Sequence, residues 1–382
     1  MTGPLRSRSG VRLTDAQRLD WLRLIRSQNV GPRTFRELLN RFGHAGAALE
    51  ALPVLARRGG GREIRVASLA QAERELEAAA RHGARFVALG EPDYPRALAA
   101  VDGPPPILAV RGHGAVLTAD SVGIVGSRNA SLAGLKMTER LASGTGRAGY
   151  TVVSGLARGI DTTAHRASLG TGTVACMAGG LDKPFPPENL GLYDEVAERG
   201  AVVSEMPFGW TPRGRDFPRR NRLIAGLSLA TVVIEAARRS GSLITARLAN
   251  EMGRVVLAVP GSPLDPRAAG TNDLIRRGAQ LVTDATEVVE ALEPMVARPS
   301  LATSEPSLFE EEGGAMDTAA PGTGERERIL EALGPTPCTV DELIAHCDAP
   351  AATIQLVLLE LQLAGRLDRQ EGGHVALLPQ EA

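Results

Sequence analysis

Short apolar runs alternate with amphipathic segments through the middle of the chain, and this pattern predicts its fold. Seven apolar runs have the length of β-strands and cover residues 121–126, 151–155, 173–179, 201–206, 229–237, 255–261 and 280–284. Apolar residues at helical spacing predict helices over 131–148, 161–170, 187–199, 242–252 and 271–278. Strands without in/out alternation, separated by helices, are typical of a mostly parallel sheet covered on both faces. We therefore predict an α/β fold, a doubly wound Rossmann-like domain, for residues 86–297.

Residues 1–85, before this domain, have a helical pattern instead. Phe35 and Phe42 lie two helical turns apart, and the segment "VGP" separates them from an earlier helix. Gly31 permits a close backbone approach, and Pro32 suits the first position of a helix. The pattern is that of an N-terminal helical domain of the helix-hairpin-helix (SAM-like) type, whose N–H groups face a DNA phosphate. A plain αα-hairpin without a ligand fits the same residues, so both interpretations stay open.

The residues after the Rossmann-like domain divide into a linker and a small domain. Residues 298–322 are rich in Pro, Ser, Ala and Glu, which predicts a disordered acidic linker. Residues 323–382 predict three short helices and a two-stranded wing with its turn at Gly372-Gly373, the pattern of a winged-helix domain. The helix that would read DNA has a single charged residue, Glu360. We therefore predict that this tail contacts protein or packs on its own chain, and does not read base sequence.

The formal net charge of -1 hides a strong asymmetry along the chain. Residues 1–85 contain 16 arginines and 8 acidic residues, a net charge of +8. Residues 86–297 are almost neutral at +1, and residues 298–382 have a net charge of -10. A basic head is the first part of this chain that we expect to meet nucleic acid.

Several classes of protein are excluded by what the sequence lacks. Three scattered cysteines, Cys176, Cys338 and Cys347, form neither a disulfide framework nor a close metal-ligand pair. The first residues lack the apolar core of a signal peptide, and no apolar run has membrane-spanning length. The dinucleotide fingerprint and the P-loop are both missing, which argues against NAD binding and ATP hydrolysis. The sequence predicts a cytoplasmic protein with no cofactor, no metal and no membrane association.

Phosphate-binding residue types follow the predicted strands of the Rossmann-like domain. The carboxyl ends of parallel strands share one edge of a sheet, where glycine-rich turns and helix N-termini face ligands. Each glycine-rich loop alone is weak evidence, because tight turns need glycine anyway, but four such loops and the segment "FPRRNR" predict one extended anion-binding site. Its predicted residues are Gly126, Ser127, Arg128, Ser154, Gly155, Arg158, Gly159, Lys183, Arg219, Arg220, Asn221, Arg222, Ser240, Gly241, Ser242 and Thr245.

Acidic residues at the same edge have two interpretations. Asp161 and His165 are one helical turn apart, the spacing of an acid/base pair. We favour a helix-capping aspartate beside a structural histidine. Glu205 and Glu235 end strands without a nearby nucleophile, so we expect them to balance the arginines. No residue is therefore predicted to be catalytic.

The motifs taken together resemble one known family. "GIVGSRNAS", "VVSGLARGIDTTAHRASL", "GGLDKPFPPEN", "FPRRNRLIAGLS", "IEAARRSGSLITARLANEMGR" and "GTNDLIRRGA" occur in this order. This run resembles the DNA-processing protein A family, DprA, also called Smf. The head and the winged-helix tail resemble extensions found in many of its members.

The resemblance implies a protein that is not an enzyme. Members of this family bind single-stranded DNA and help to load the bacterial recombinase onto it during natural transformation and homologous recombination. They commonly form homodimers through the Rossmann-like domain. The family's cationic pocket uses positions that correspond here to Arg128 and Lys183, whereas Phe185 replaces the usual tyrosine and puts any role of that hydroxyl in doubt. Few aromatic residues lie nearby, so binding should depend on charge and salt.

An enzyme of another class is the alternative. Phosphoribohydrolases of the lysine-decarboxylase-like (LOG) type also combine a Rossmann-like sheet with glycine-rich phosphate loops, and they hydrolyse nucleoside monophosphates. Their hallmark is a "PGGxGTxxE" segment, and this chain has "EAARRSGSLITA" in the comparable place. It lacks the double glycine and the glutamate that follows, so both substrate binding and catalysis would lose their residues.

Overall fold

The chain divides into two compact units, as seen in a computed structural model that describes residues 12–61, 63–297, 323–370 and 373–378. The first, here called the sheet unit, consists of Met1–Arg12 and Arg74–Pro306. The second, the head–tail unit, consists of Leu13–Glu73 and Ser307–Ala382. The helical head and the winged-helix tail thus form one unit, although they come from opposite ends of the sequence. The predicted linker, residues 298–322, lies outside the described residues.

The helical head begins with the predicted hairpin. Its helices, with the one that follows, are α1 (Asp15–Arg26), α2 (Pro32–Phe42), α3 (Ala45–Arg58) and α4 (Leu69–Arg81). Gly31 caps α2 and Pro32 occupies its first turn, as predicted. The rings of Trp21 and Phe35 meet edge to face, 5.0 Å between centroids, and hold α1 against α2. A Cβ added at Gly31 would meet nothing within 4 Å among the described residues.

The sheet unit alternates strands and helices along most of its length. Its elements are β1 (Ala84–Ala88), α5 (Arg96–Ala99), β2 (Ile107–Gly112), α6 (Gly114–Thr118), β3 (Ser121–Gly126), α7 (Leu132–Arg147), β4 (Thr151–Ser154), α8 (Ile160–Ser168), β5 (Thr173–Cys176), α9 (Leu190–Arg199), β6 (Ala201–Ser204), α10 (Asp216–Leu227), β7 (Ala230–Ile234), α11 (Gly241–Glu251), β8 (Val255–Ala258), α12 (Ala269–Arg276), β9 (Gln280–Leu281) and α13 (Ala285–Ala297). The seven predicted strands and five predicted helices are all present, and most of them are shorter than predicted or shifted by one or two residues.

The strands form one mostly parallel sheet with helices on both faces. Their order is β1-β2-β6-β5-β4-β3-β7-β8-β9, and neighbours from β6 to β9 run parallel. Adjacent residues of β3 contribute to separate apolar clusters, Ile124 to one and Val125 to the other. Both faces of the sheet are therefore buried, which explains why its strands show no in/out alternation. The predicted doubly wound fold is confirmed.

Three features of the sheet unit were not predicted. Strands β1 and β2 add an antiparallel edge, and the predicted boundary after residue 85 falls inside β1. The two compact units divide instead between Glu73 and Arg74. The arginine-rich segment, which we interpreted as a loop, lies on α10. Leu223, Ile224 and Leu227 are buried and have helical spacing, and they pack α10 against the sheet.

The tail has the predicted winged-helix elements and one further short strand. They are α14 (Thr323–Ala332), β10 (Cys338–Thr339), α15 (Val340–Cys347), α16 (Ala351–Leu363), β11 (Leu367–Arg369) and β12 (His374–Leu377). Of the predicted wing turn at Gly372-Gly373, the first residue lies outside the described residues. Helix α16 packs against α3 of the head, where the Asn29 amide donates to the Leu363 carbonyl at 2.9 Å. The tail therefore packs on its own chain, one of the two outcomes predicted.

Candidate nucleic-acid interface

One pocket opens between the ends of β3 and β7, where the strand order reverses, and a second adjoins it beside the loops that follow β4 and β5. Doubly wound sheets bind ligands at such a topological switch point. The larger, the switch-point pocket, has a volume of about 670 Å³ and is lined by Val125, Gly126, Ser127, Arg128, Asn129, Ala157, Asp161, Gly214, Phe217, Pro218, Arg220, Asn221, Ile224, Ala237, Arg239, Ser240, Gly241, Ser242, Ile244 and Thr245. The smaller, the loop pocket, has a volume of about 160 Å³ and is lined by Arg128, Gly155, Ala157, Arg158, Phe185, Pro186, Pro187, Glu188, Phe217 and Arg220.

Most of the predicted anion-binding residues come together here. Nine of them line the switch-point pocket: Gly126, Ser127, Arg128, Arg220, Asn221, Ser240, Gly241, Ser242 and Thr245. Gly155 and Arg158 line the loop pocket. The remaining five, Ser154, Gly159, Lys183, Arg219 and Arg222, line neither pocket.

Arg128 is the exposed cation shared by both pockets. It follows β3 directly, and its guanidinium lies over the Phe217 ring, 5.4 Å from the centroid. Phe217 in turn meets Phe185 edge to face, with the two centroids 5.9 Å apart. The aromatic face orients the guanidinium while its donors remain accessible, and Phe185 is 46% exposed. A cationic side chain and two aromatic rings therefore lie next to each other where the two pockets adjoin.

Arg220 is buried and connects three elements. Its guanidinium donates to the backbone carbonyls of Gly155 and Cys176, and Nε donates to Asn221 at 3.1 Å. A Cβ at position 155 would lie 2.0 Å from this guanidinium, so only glycine leaves room for it. Burial lowers the pKa of Arg220, and nearby Asp161 opposes that effect. Arg220 therefore holds the loop after β4 and the end of β5 against α10, and nearby Asp161 offsets its charge.

Asp161 and His165 do not form an acid/base pair. The Asp161 carboxylate accepts from the backbone N–H groups of Gly155 and Ala157 at 3.2 and 3.3 Å. His165 is fully buried, accepts from the Leu156 N–H at Nε2, and its Nδ1 lies 2.8 Å from the Thr173 hydroxyl. Burial lowers the pKa of His165 to about 3, so the ring is neutral at pH 7. His165 therefore has the structural role that we favoured. The predicted helix-capping role of Asp161 is wrong, because its carboxylate binds N–H groups of the preceding loop and Gly159 is the cap residue of α8.

The start of α11 supplies hydroxyl groups to the switch-point pocket. The Ser240 side chain caps the helix by accepting from the Ser242 N–H, and the two hydroxyls lie 2.7 Å apart. The Asn221 amide donates to the Gly241 carbonyl at 3.2 Å and so ties α10 to this helix start. Helix α10 and the start of α11, which both line the pocket, are therefore held against each other.

Two of the predicted arginines face a carboxylate instead of the pockets. Arg219 donates to Glu205 at 2.8 Å, and Arg222 lies 3.3 Å from the same carboxylate, which is almost fully buried. Glu205 therefore balances arginines, as predicted. Glu235 does not: it accepts from the backbone N–H and the hydroxyl of Ser131, where α7 begins.

The other predicted residues outside the two pockets differ in their surroundings. The Ser154 hydroxyl donates to the Ile124 carbonyl at 2.6 Å inside the sheet. Gly159 packs against the loop after β3, since an added Cβ would lie 2.4 Å from the Ser127 carbonyl oxygen. Lys183 is half-exposed, with its ammonium 3.9 Å from Asp182. Arg158, in the loop pocket, is exposed and lies 3.8 Å from Glu188.

One cation of the switch-point pocket was missing from the prediction. Arg239 is exposed, lines the pocket and directly precedes the cap of α11. The segment "ARRSGS" contained the signal, because a basic residue beside a helix N-terminus adds to its attraction for anions. The neighbouring Arg238 does not line the pocket, so the sequence alone could not distinguish the two arginines.

The part of the chain that the structure describes contains no cluster of three or more metal-ligating side chains. No helix in these same residues is long and apolar enough to cross a membrane.

Three family models match successive parts of the chain. The DprA-like N-terminal HHH domain matches residues 15–78, and the DprA winged helix domain matches residues 314–373. Between them, the DNA recombination-mediator protein A family matches residues 85–293, more than half of the chain.

Individual relatives agree with these family models. Protein Smf of Synechocystis is 29% identical over 94% of this chain and 98% of its own length. The crystal structure of DNA processing protein A from Streptococcus pneumoniae is 33% identical, covers 73% of this chain and 98% of the S. pneumoniae chain, and has a TM-score of 0.60. A structure of the Helicobacter pylori protein, described for its single-stranded DNA binding mode, is 28% identical, covers 55% and 96% of the two chains, and has a TM-score of 0.51.

Proposed function

Since this chain belongs to the DprA family of DNA recombination mediators, we propose that it binds single-stranded DNA at the edge formed by the two pockets and helps a bacterial recombinase onto that strand. The process would be DNA uptake by natural transformation, and homologous recombination more generally. We propose a cytoplasmic homodimer that forms through the sheet unit. The H. pylori relative, described for its single-stranded DNA binding mode, supports the DNA part of this proposal.

The observation that carries the proposal is the exposed Arg128 guanidinium over Phe217. An arginine at this place can contact a backbone phosphate, and Phe185 offers a ring on which an adjacent base can stack. Buried Arg220 holds the loop after β4 in place beneath this edge, and Lys183 extends the cationic edge. Binding would hold the strand without breaking a bond, because Asp161 and His165 are both engaged in structural hydrogen bonds.

Fluorescence anisotropy with a labelled oligo-dT tests the proposal. We expect Arg128→Ala to weaken binding about tenfold and to reduce its salt dependence by one phosphate contact. Arg140→Ala is the matched control, because Arg140 is an exposed arginine on α7 outside both pockets. Equal binding by the wild type and Arg128→Ala would contradict the proposal.

The phosphoribohydrolase alternative is not favoured, because the family matches are to DNA recombination mediators. The same protein preparation can test it by incubation with a nucleoside monophosphate. Release of the free base would support the alternative, and an intact nucleotide would count against it.

A further inference from the structure

The inner wall of the switch-point pocket contains a buried hydroxyl that has no hydrogen-bond partner among the described residues. Thr245 lies in α11, lines the pocket and is only 1% exposed. Buried threonines on another helix behave differently, since Thr138 and Thr145 each donate to the carbonyl one turn back at 2.8 Å. For Thr245 that carbonyl belongs to Gly241, which accepts from the Asn221 amide instead. The Thr245 side chain lines the pocket and makes no hydrogen bond to a described residue, so its hydroxyl is placed for a ligand in the pocket.

The surroundings of Thr245 indicate an anionic ligand. The start of α11 contributes the positive end of a helix of 11 residues, together with the Ser240 and Ser242 hydroxyls. Arg239 lies beside these hydroxyls on the loop before the helix. The start of α11 and the residue before its cap therefore contribute hydroxyl groups and a cation to the lining of the same pocket.

The charge of the pocket lining indicates which anion fits. Arg128, Arg220 and Arg239 line it together with one carboxylate, Asp161. The net charge of the lining is thus +2, and it comes from Arg128 and Arg239 once Arg220 and Asp161 offset each other. A phosphate monoester has a charge of about -1.5 to -2 near pH 7, whereas a phosphodiester inside a strand has only -1.

We propose that the inner end of the switch-point pocket binds a phosphate monoester through Thr245, Ser242 and Arg239, as carried by the terminal nucleotide of a DNA strand or by a free mononucleotide. This rests on the proposed function, because the same pocket is its DNA-binding edge. It extends that function from holding a strand along its length to recognising a phosphorylated strand end.

Competition binding with the full chain tests the assignment. The probes are oligo-dT strands with a 5′-phosphate, with a 3′-phosphate or with no phosphate, and the competitors are dTMP and inorganic phosphate. We expect one phosphorylated end to bind about tenfold tighter than the unphosphorylated strand. Thr245→Val should remove most of that preference, because it deletes one hydrogen bond to a charged group and keeps the shape of the side chain.

The chain offers two matched controls. Thr231→Val also removes a buried hydroxyl without a partner, but it lies at the opposite end of β7 and should leave the preference unchanged. Arg239→Ala should reduce the preference, whereas Arg238→Ala, its exposed neighbour outside the pocket, should not. Because both arginines are exposed, these two variants test the site even if Thr245→Val fails to fold.

The outcomes separate this inference from the proposed function. Equal binding of all three strands together with no competition by dTMP would overturn the monoester site, even if Arg128→Ala still weakens DNA binding. Competition by dTMP without discrimination between strands would assign the site to free mononucleotides, and discrimination between strands would assign it to a strand end. A preference that survives in both Thr245→Val and Arg239→Ala would also overturn the proposal.

Discussion

At the residue scale, the buried His165 makes the stability of the sheet unit depend on pH. Its pKa is about 3 in the folded protein because burial disfavours the charged ring, against about 6.5 in an unfolded chain. The unfolded state therefore binds more protons between these two values, and stability is lost as the pH falls below about 6.5. The loss amounts to about 1.4 kcal/mol per pH unit within that window.

The measurement is urea unfolding of the wild type and His165→Gln at pH 7 and pH 5. We expect the wild type to lose about 2 kcal/mol more than the variant over this interval. Parallel pH profiles for the wild type and His165→Gln would refute the prediction.

The sequence predicted which residues meet at the site better than it predicted which of them are free to bind. Gly126, Gly155 and Ser240 follow strand ends, and the parallel sheet brings those ends together by itself. The partners of the arginines depend on tertiary packing. Arg219 and Arg222 face Glu205 because α10 lies beside the end of β6, a fact that spacing along the chain does not contain.

At the element scale, α10 shows why a charged segment was misread. Three charged residues and a proline at the start of the segment resemble a loop, and the helical spacing of the apolar residues appears only beyond them. In helix α16, by contrast, the apolar pattern of the sequence agrees with the observed packing. Its apolar residues surround the helix, because one side packs in the tail's own core and another side packs on α3. A helix that is apolar all round is buried on all sides, which the sequence already implied for this element.

The buried Glu360 joins the head to the tail within the head–tail unit. Its carboxylate is fully buried, accepts from Arg326 of α14 and lies 3.9 Å from Arg58 of α3. One oxygen of this carboxylate has no hydrogen bond, so burial of the group is only partly compensated. Removal of the charge would leave Arg326, itself mostly buried, without its counter-charge.

We therefore expect Glu360→Gln to destabilise the head–tail unit by about 2 kcal/mol, less than a fully buried pair because Arg58 is half-exposed. Trp21 fluorescence during urea unfolding, in a Trp210→Phe background, reports this unit alone. Glu327→Gln changes an exposed glutamate on α14 and should leave the unfolding curve unchanged. Coincident urea unfolding curves for Glu360→Gln and for the Trp210→Phe background would show that the ion pair contributes nothing to the stability of this unit.

At the scale of the whole molecule, the charge asymmetry of the sequence can be counted over the two compact units. The basic head suggested an arm that reaches for nucleic acid. Within the head–tail unit, however, residues 13–73 contain 10 arginines and 6 acidic residues, and residues 307–382 contain 4 arginines and 14 acidic residues. The formal charge of that unit is therefore -6, which leaves +5 for the sheet unit. The chain, with a formal net charge of -1, thus combines a cationic unit, for which we propose DNA binding, with an anionic one.

This separation predicts that the sheet unit binds DNA by itself. A chain of residues 74–297 keeps β1, all strands of the sheet and both pockets, whereas a start at residue 86 would cut β1. We expect its affinity for oligo-dT to be within about threefold of the full chain, with the same salt dependence, because the phosphate contacts are retained.

A chain of residues 74–382 retains the tail but lacks the head, so the apolar side of α16 that packs on α3 would be exposed and should bind a hydrophobic dye. A loss of more than about tenfold in the 74–297 chain, with its fold intact by circular dichroism, would place DNA contacts in the head–tail unit.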